Sequence, residues 1–393
     1  MGGGGQVSHG DDVYLVGIGQ VPVGEHWDRS LRDLAVDAVR ACVCDCGVEA
    51  FDALYVGNML APALSDQQHL GALVADWAGY RGIEASTVEA ACGSGGMAMH
   101  QGYLAVRSGM HRAVLVLGVE KMTDSVNGCT TAGLAMAADA EYEAAVGLSF
   151  VAINALLMRR YMHEFGAARE DFAAFAISSH RGAAGNPNAM FRRCIDEAAY
   201  MSAAVIADPI NLMDSSPVAD GAAALMLVDA ETARGFGAKA VRIAASAVGT
   251  DSVALQHRKN ILRLEGVRLS AERAYRMAGR QPTDIDLLEL HDAFTIMSVL
   301  SLEASGFADY GQGYRLARSG EVCHGGRMPV CTMGGLKARG HPVGATGVYQ
   351  VAEAALQLRG EAGQCQVDGA KVAMAQNIGG SGATVITHIL EAE

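Results

Sequence analysis

Cys92 stands in the run Ala91-Cys92-Gly93-Ser94-Gly95-Gly96, where a strand pattern ends and a glycine-rich turn opens a helix. Such a position exposes the sulfur and sets it near unpaired backbone amides at the positive end of a helix dipole, both of which favour thiolate. The glycines let a substrate approach closely and let the turn take strained angles. This is the setting of a nucleophile, although a small cysteine packed into a turn has the same local sequence. His341 lies between Gly340 and Pro342, in a loop just before a helical pattern, with no apolar face to join. An imidazole there can hold a thiolate as an ion pair and carry protons near neutral pH. His291 ends a strand pattern as Leu290-His291-Asp292-Ala293-Phe294, and strand carboxyl ends are where α/β sites form. Near the close of the chain, Gln376-Asn377-Ile378-Gly379-Gly380-Ser381-Gly382 reads as a loop, whose backbone N–H groups can face a developing oxyanion.

These residues need a frame, and the chain supplies one twice. Short apolar strands alternate with amphipathic helices, an α/β pattern. Residues 13–19 predict a strand, and a helix follows from about Ser30, with Leu31, Leu34, Ala35, Ala38 and Val39 at helical spacing. Residues 51–57 predict another strand, and the same order returns at 241–248, about 261–278 and 285–290. The Cys92 turn leads into a helix to about Ser108 and a strand at 113–118. The Gly340-His341-Pro342 turn leads into a helix over about 347–358 and a strand at 372–375. Two similar halves are expected, 13–235 and 236–393, after a flexible tail at 1–12. Residues from about 121 to 207 break the rhythm as an Ala- and Met-rich, mainly helical insertion over one face. Arg159, Arg160, Arg169, Arg181, Arg192 and Arg193 gather there against only Glu164, Glu170 and Asp171 between 151 and 193. A local positive field of this kind suits a phosphate-bearing substrate, though solvated helix faces have the same composition.

Composition bounds the function. A chain of 393 residues exceeds the size at which one hydrophobic core keeps growing. Every apolar run is broken well before the roughly 18 residues that a membrane span needs. The formal net charge of −13 argues against nucleic acid or an anionic membrane as the main partner. Residues 1–11 lack the cationic start and apolar stretch of a signal peptide. The nine cysteines, an odd number, read as free thiols in a reducing compartment, so a soluble cytoplasmic protein is expected. Cys42, Cys44 and Cys46 follow a helix end without zinc spacing, so packing and no metal is the expectation there.

The ordered segments closely resemble the thiolase superfamily over essentially the whole chain. They are the Cys92 turn, Gly118-Val119-Glu120-Lys121-Met122, His291-Asp292-Ala293-Phe294, Gly340-His341-Pro342-Val343-Gly344-Ala345-Thr346-Gly347 and the final Asn377–Gly382 loop. The chain looks most like archaeal-type and sterol-carrier-type thiolases, which carry His-Asp where conventional thiolases carry Asn-Glu. The resemblance implies a duplicated fold, two five-stranded mixed sheets in an α-β-α-β-α layered arrangement, with the inserted loop domain receiving coenzyme A. It implies that Cys92 is acylated, that His341 activates it, and that the amides of Cys92 and Gly379 stabilise the oxyanion, with Asn377 at the substrate. His291 and His341 would polarise the thioester carbonyl of a second acetyl-CoA while its methyl group is deprotonated. Condensation gives acetoacetyl-CoA, and the reverse is thiolysis. Coenzyme A thioesters enter as substrates, and no bound cofactor is implied.

One departure matters. Conventional thiolases use a second cysteine as acid and base where this chain has Asn377, and sterol-carrier-type thiolases place theirs where it has Ala293. His291 is then the leading candidate for the base, with Cys331 on the Pro329-Val330-Cys331 strand as an alternative. Three functions stand open: an acetyl-CoA C-acetyltransferase feeding a mevalonate-type pathway, a degradative 3-oxoacyl-CoA thiolase of longer chain length, and a weakly active scaffold subunit. The resemblance also implies a homodimer or homotetramer. Partners it implies are a small zinc-ribbon/OB-fold protein and a 3-hydroxy-3-methylglutaryl-CoA synthase.

Overall fold

The computed structural model describes residues 12–392, so all but the last residue of the tail expected at 1–12 lies outside the described residues. The first half begins with β1 (Val13–Gln20), α1 (Leu31–Cys46) and β2 (Ala53–Gly57). The short α2 (Ala61–Leu64) and α3 (Leu70–Ala78) lead on to β3 (Glu84–Val88), α4 (Ser94–Arg107) and β4 (Ala113–Glu120). Then come α5 (Asn127–Ala135), α6 (Phe150–Phe165), α7 (Ala173–Gly185), α8 (Glu197–Ser202) and a small hairpin of β5 (Val205–Ala207) and β6 (Ile210–Asn211). Strand β7 (Gly221–Asp229) returns to the sheet. After α9 (Ala230–Ala233) the second half runs through β8 (Val241–Thr250), α10 (Glu265–Ala278), β9 (Leu287–Glu289), α11 (Thr295–Ala304) and α12 (Gly313–Arg318). It ends with α13 (Thr346–Arg359), β10 (Val372–Gly379) and β11 (Thr384–Ala392).

Local chemistry explains the boundaries. Ser30 Oγ accepts from the Asp33 amide while Asp33 accepts from the Ser30 amide, so α1 starts on a capping box; Gly47 ends it in left-handed backbone. Helix α10 begins at Glu265, later than the spacing predicts, because Asn260 Oδ1 accepts from the Leu262 amide at 2.9 Å and holds 260–262 in a turn. Strands β4 and β7 are buried almost from end to end, as their unbroken apolar sequences require of central strands. Cys42 packs into the core and Cys44 is exposed, while Cys46 Sγ donates to the Cys42 carbonyl at 3.2 Å.

The duplication is visible strand by strand. In the first half β2 lies parallel between β3 and β4, and β7 pairs antiparallel with both β4 and β1. In the second, β9 and β10 are parallel, and β11 pairs antiparallel with both β10 and β8. The counterpart of β3 is reduced to one parallel bridge, Leu288 to Val330. It stops there because Pro329 has no N–H to donate and Cys331 turns left-handed at φ 52°. Strands β1 and β8 meet through Tyr14–Arg242 and Leu15–Val241, so hydrogen bonding continues across both halves in the order β3-β2-β4-β7-β1-β8-β11-β10-β9.

Three apolar layers separate the elements. Leu34, Ala38, Leu54 and Val56 pack α1 and α3 on the outer face of the first half. Met374, Val385 and Ile389 pack α10 and α11 on the outer face of the second, continuous with Leu157, Met158 and Tyr161 of the insertion. Between the two faces, Ala98 and Tyr103 of α4 meet Val348, Tyr349 and Ala352 of α13. The two central helices touch at their N-terminal ends through glycine: a Cβ on Gly347 would lie 2.2 Å from the Gly96 nitrogen. The turn before α4 and the loop before α13 are thereby brought together, and those segments carry Cys92 and His341.

Candidate active site

Cys92 follows Ala91, which takes a left-handed φ of 52° that a residue with a side chain rarely adopts. The turn is held by Ser94 Oγ, which donates to the Ala91 carbonyl and accepts from the Ala90 amide. Strand β10 crosses directly behind it: a Cβ at Gly379 would come within 2.3 Å of the Ala90 oxygen, so that crossing demands glycine. The sulfur is buried, contrary to the expectation from sequence. Burial first, and then the charge of Glu120, push the Cys92 thiol up to about 12, against the pull of its own amide and that of Gly380. The resting group is a thiol, not a thiolate.

The two imidazoles stand edge to face with ring centres 5.1 Å apart. His341 Nδ1 lies 2.7 Å from Thr346 Oγ1, and that hydroxyl donates onward to the Pro342 carbonyl at 3.1 Å. The hydroxyl proton is therefore spent, His341 Nδ1–H donates to Thr346, and Nε2 keeps the bare lone pair. His291 is fixed in the opposite sense. Asn377 Oδ1 accepts from the Gly96 amide at 3.1 Å, which turns the Asn377 Nδ2 group to His291 Nδ1, also at 3.1 Å. His291 Nδ1 must accept, so its hydrogen sits on Nε2. Burial, with Arg339 and Lys337 adding to it, takes His291 down to about 3; burial, His291 and Arg339 take His341 well below its ordinary range. Both rings are neutral near pH 7, one presenting a base and the other a donor.

Cys92, His291 and His341 line one cavity of about 210 Å³. Met122, Leu134, Phe150, Val151, Phe294 and Val343 make its walls mostly apolar, and Ser215, Ser216, Pro217 and Val218 form one side. Ala293 is also in the wall, so the position that the resemblance to sterol-carrier-type thiolases assigns to a second thiol holds a methyl group. Asn377 and Gly379 lie on β10 rather than in a loop, paired with Ile386 and Thr384 of β11. The amide beside the sulfur is that of Gly380, not Gly379, and Asn377 acts on His291 rather than at the cavity surface. Cys331 fails as a base: its buried Sγ faces the Leu290 carbonyl at 3.5 Å, outside the cavity wall, and burial raises its thiol well above the usual range. His291, the leading candidate for the base, has its lone pair committed to Asn377 and offers an N–H instead.

Three contributors escaped the sequence reading. Thr346 sets the His341 tautomer, and Gly380 supplies an amide. Glu120, wholly buried, accepts from the amides of Met59, Leu60 and Gly344 and from Asn58 Nδ2 at 2.8–3.1 Å, tying the turn after β2 to the His341 loop. Burial lifts its carboxyl to about 7 while those donors pull it down. Glu120 and Thr346 both stand inside segments that the resemblance singles out, which is the signal that was there to be read. Of the expected basic cluster, Arg160 pairs with Glu164 at 2.8 Å and Arg159 with Asp208; neither lines the cavity.

Known proteins resemble the chain over almost its whole length. Residues 13–231 match the family described as Thiolase, N-terminal domain, and residues 247–392 match Thiolase C-terminal domain-like. A protein named acetyl-CoA acetyltransferase from Methanothermobacter thermautotrophicus is 44% identical over 380 residues, covering 96% of this chain and 99% of that one. Human sterol carrier protein 2 is 32% identical over 95% of this chain and 71% of its own length. Among solved structures, an Ltp2–ChsH2(DUF35) aldolase superposes with a TM-score of 0.84 at 27% identity, covering 97% of this chain and 98% of that one. The chain belongs to the thiolase family and is an acyltransferase.

Proposed function

We propose that this thiolase-family enzyme condenses two molecules of acetyl-CoA to acetoacetyl-CoA and free coenzyme A, reversibly, through an acetyl group carried on Cys92. The observation that carries the reading is the pairing of opposite tautomers beside one buried thiol: a bare Nε2 on His341 and an N–H on His291. The archaeal relative named acetyl-CoA acetyltransferase supports acetyl as the acyl group, and a small apolar cavity suits a short chain.

In the first step His341 Nε2 takes the Cys92 proton as the sulfur attacks the thioester carbonyl. The oxygen that gains charge is met by the amides of Cys92 and Gly380. Collapse expels the coenzyme A thiolate, which leaves with the proton from His341. In the second step the carbonyl of a new acetyl-CoA accepts from His291 Nε2–H, and His341, neutral again, removes a methyl proton. The carbanion attacks the acetyl-cysteine carbonyl; the thiolate of Cys92 departs and regains its proton from His341. One imidazole thus serves both half-reactions, which accounts for the absence of a second thiol at positions 293 and 377.

The reading extends to context. A cytoplasmic, oligomeric enzyme feeding a mevalonate-type route to isoprenoids fits this reaction, and the Ltp2–ChsH2(DUF35) aldolase supports a small DUF35-type protein as a partner. A 3-hydroxy-3-methylglutaryl-CoA synthase is the activity that would consume the product. The test is intact-mass measurement after exposure to acetyl-CoA, followed by assay of acetoacetyl-CoA. One acetyl adduct, lost in Cys92→Ser, is the expected result; a wild-type protein that takes no acetyl group, alone or with a partner, rejects the reading.

A further inference from the structure

Behind the wall formed by Ser215–Val218 lies a second, larger cavity of about 1040 Å³. Lys337 borders it although its side chain is only 2% exposed. The residue sits in a wide helical turn, Gly335–Arg339, immediately before Gly340 and His341. Its ammonium donates to the carbonyl of Asp292 at 2.7 Å and to that of Asp214 at 3.2 Å. Asp292 follows His291, and Asp214 precedes Ser215. One side chain therefore bonds the end of the His291 strand and the root of the cavity wall while being anchored in the His341 loop. The same junction is clipped a second time, where Asp292 Oδ1 accepts from the Leu336 amide at 2.6 Å and Oδ2 from Ser179 Oγ at 3.2 Å. Burying an ammonium is costly, and an aliphatic side chain would fill this space without that cost.

We propose that Lys337 is a positioning residue for the Cys92 chemistry, holding His291 and the Ser215–Val218 wall in register with His341. The inference rests on the proposed acetyl transfer. Its charge also bears on the site. Asp292, Asp214 and Cys331 surround the ammonium, Arg339 and Lys337 face His291, and His291 and Arg339 face His341. Arg339, paired with Glu353 at 3.0 Å, is the stronger of the two cations on His291.

The experiment compares wild type, Lys337→Met and Lys337→Ala in acetyl-adduct formation and in condensation, with thermal melting as a check on folding. Wild type must first form the adduct and the product; failure there rejects the proposed function and not the role of Lys337 within it. Both variants should then lose about a hundredfold in kcat, with KM for acetyl-CoA changed by less than about threefold. Because Lys337 borders an open cavity, propylammonium added to Lys337→Ala should recover at least about tenfold in kcat, and propan-1-ol should recover none. Variants that fold and keep wild-type kcat overturn the proposal, as does equal rescue by both compounds. Variants that fail to fold even with propylammonium also overturn it, since the residue would then serve stability alone.

Discussion

The turn after β3 and the turn after the Val330 bridge occupy matching places in the two halves, and both contain a residue at a φ of 52°, Ala91 in one and Cys331 in the other. The residues just beyond them differ. Cys92 comes next in the first half and α4 begins almost at once, so the sulfur faces the cavity from a short, stiff turn. In the second half the next residue is Thr332, whose amide and hydroxyl both donate to Glu289 Oε1 and whose Oγ1 also accepts from Gln357. Residues 333–345 then intervene before α13, and among them is His341. One backbone frame thus carries Cys92 where the turn is short and His341 where it has been lengthened.

That contrast can be broken by moving the thiol. Cys92→Ser should lower condensation at least about a thousandfold, and adding Thr332→Cys should restore nothing, with no acetyl adduct at position 332 by peptide mass mapping. An adduct there would mean that the left-handed turn alone makes the nucleophile. The next effect divides the histidines. His341→Ala should slow acetylation of Cys92 by about a hundredfold or more, while His291→Ala should leave acetylation within about threefold and cut condensation about a hundredfold; rapid-quench mass measurement separates the steps. Equal losses in both steps would erase the difference between base and donor.

A smaller effect concerns the state of the sulfur. With its pKa pushed up to about 12, Cys92 gains thiolate fraction as pH rises, so its alkylation by iodoacetamide should climb about tenfold per pH unit from 7 to 10 without levelling. A plateau near pH 8 would show a thiol activated in the free enzyme. The smallest effect compares the outer helices. Helix α1 has the Ser30 capping box, whereas α10 has no side-chain cap and relies on the partly exposed Arg268 bonded to Glu265 and Glu272. Ser30→Ala should cost about 1 kcal/mol and Arg268→Ala no more than about 0.5 kcal/mol, read from urea unfolding.

Strand and helix order was legible because apolar alternation and helical spacing are local properties, as at Leu31, Leu34 and Ala38. The residues Cys92, His291 and His341 were legible as chemistry, and the structure brings all three to one cavity. The condition of Cys92 was not. Leu60, Met122 and Val343 bury it, and they arrive from three segments remote in sequence, so the run Ala91–Gly96 carries no trace of them. Asn377 and Gly379 read as a loop because Gly379, Gly380 and Gly382 crowd together; pairing with β11 decides otherwise. Tautomers lie further still from the sequence, since each depends on a hydroxyl or amide whose own partner must first be known.

Among the described residues the two halves share a strand contact of two residue pairs, and the chain that joins them, from Arg234 to Lys239, is largely exposed. Neither half holds a working set of groups, since Cys92 belongs to one and both imidazoles to the other. Cutting the chain in that connection would separate Cys92 from both imidazoles, so a cut protein that recovers activity must have brought its two central helices back together.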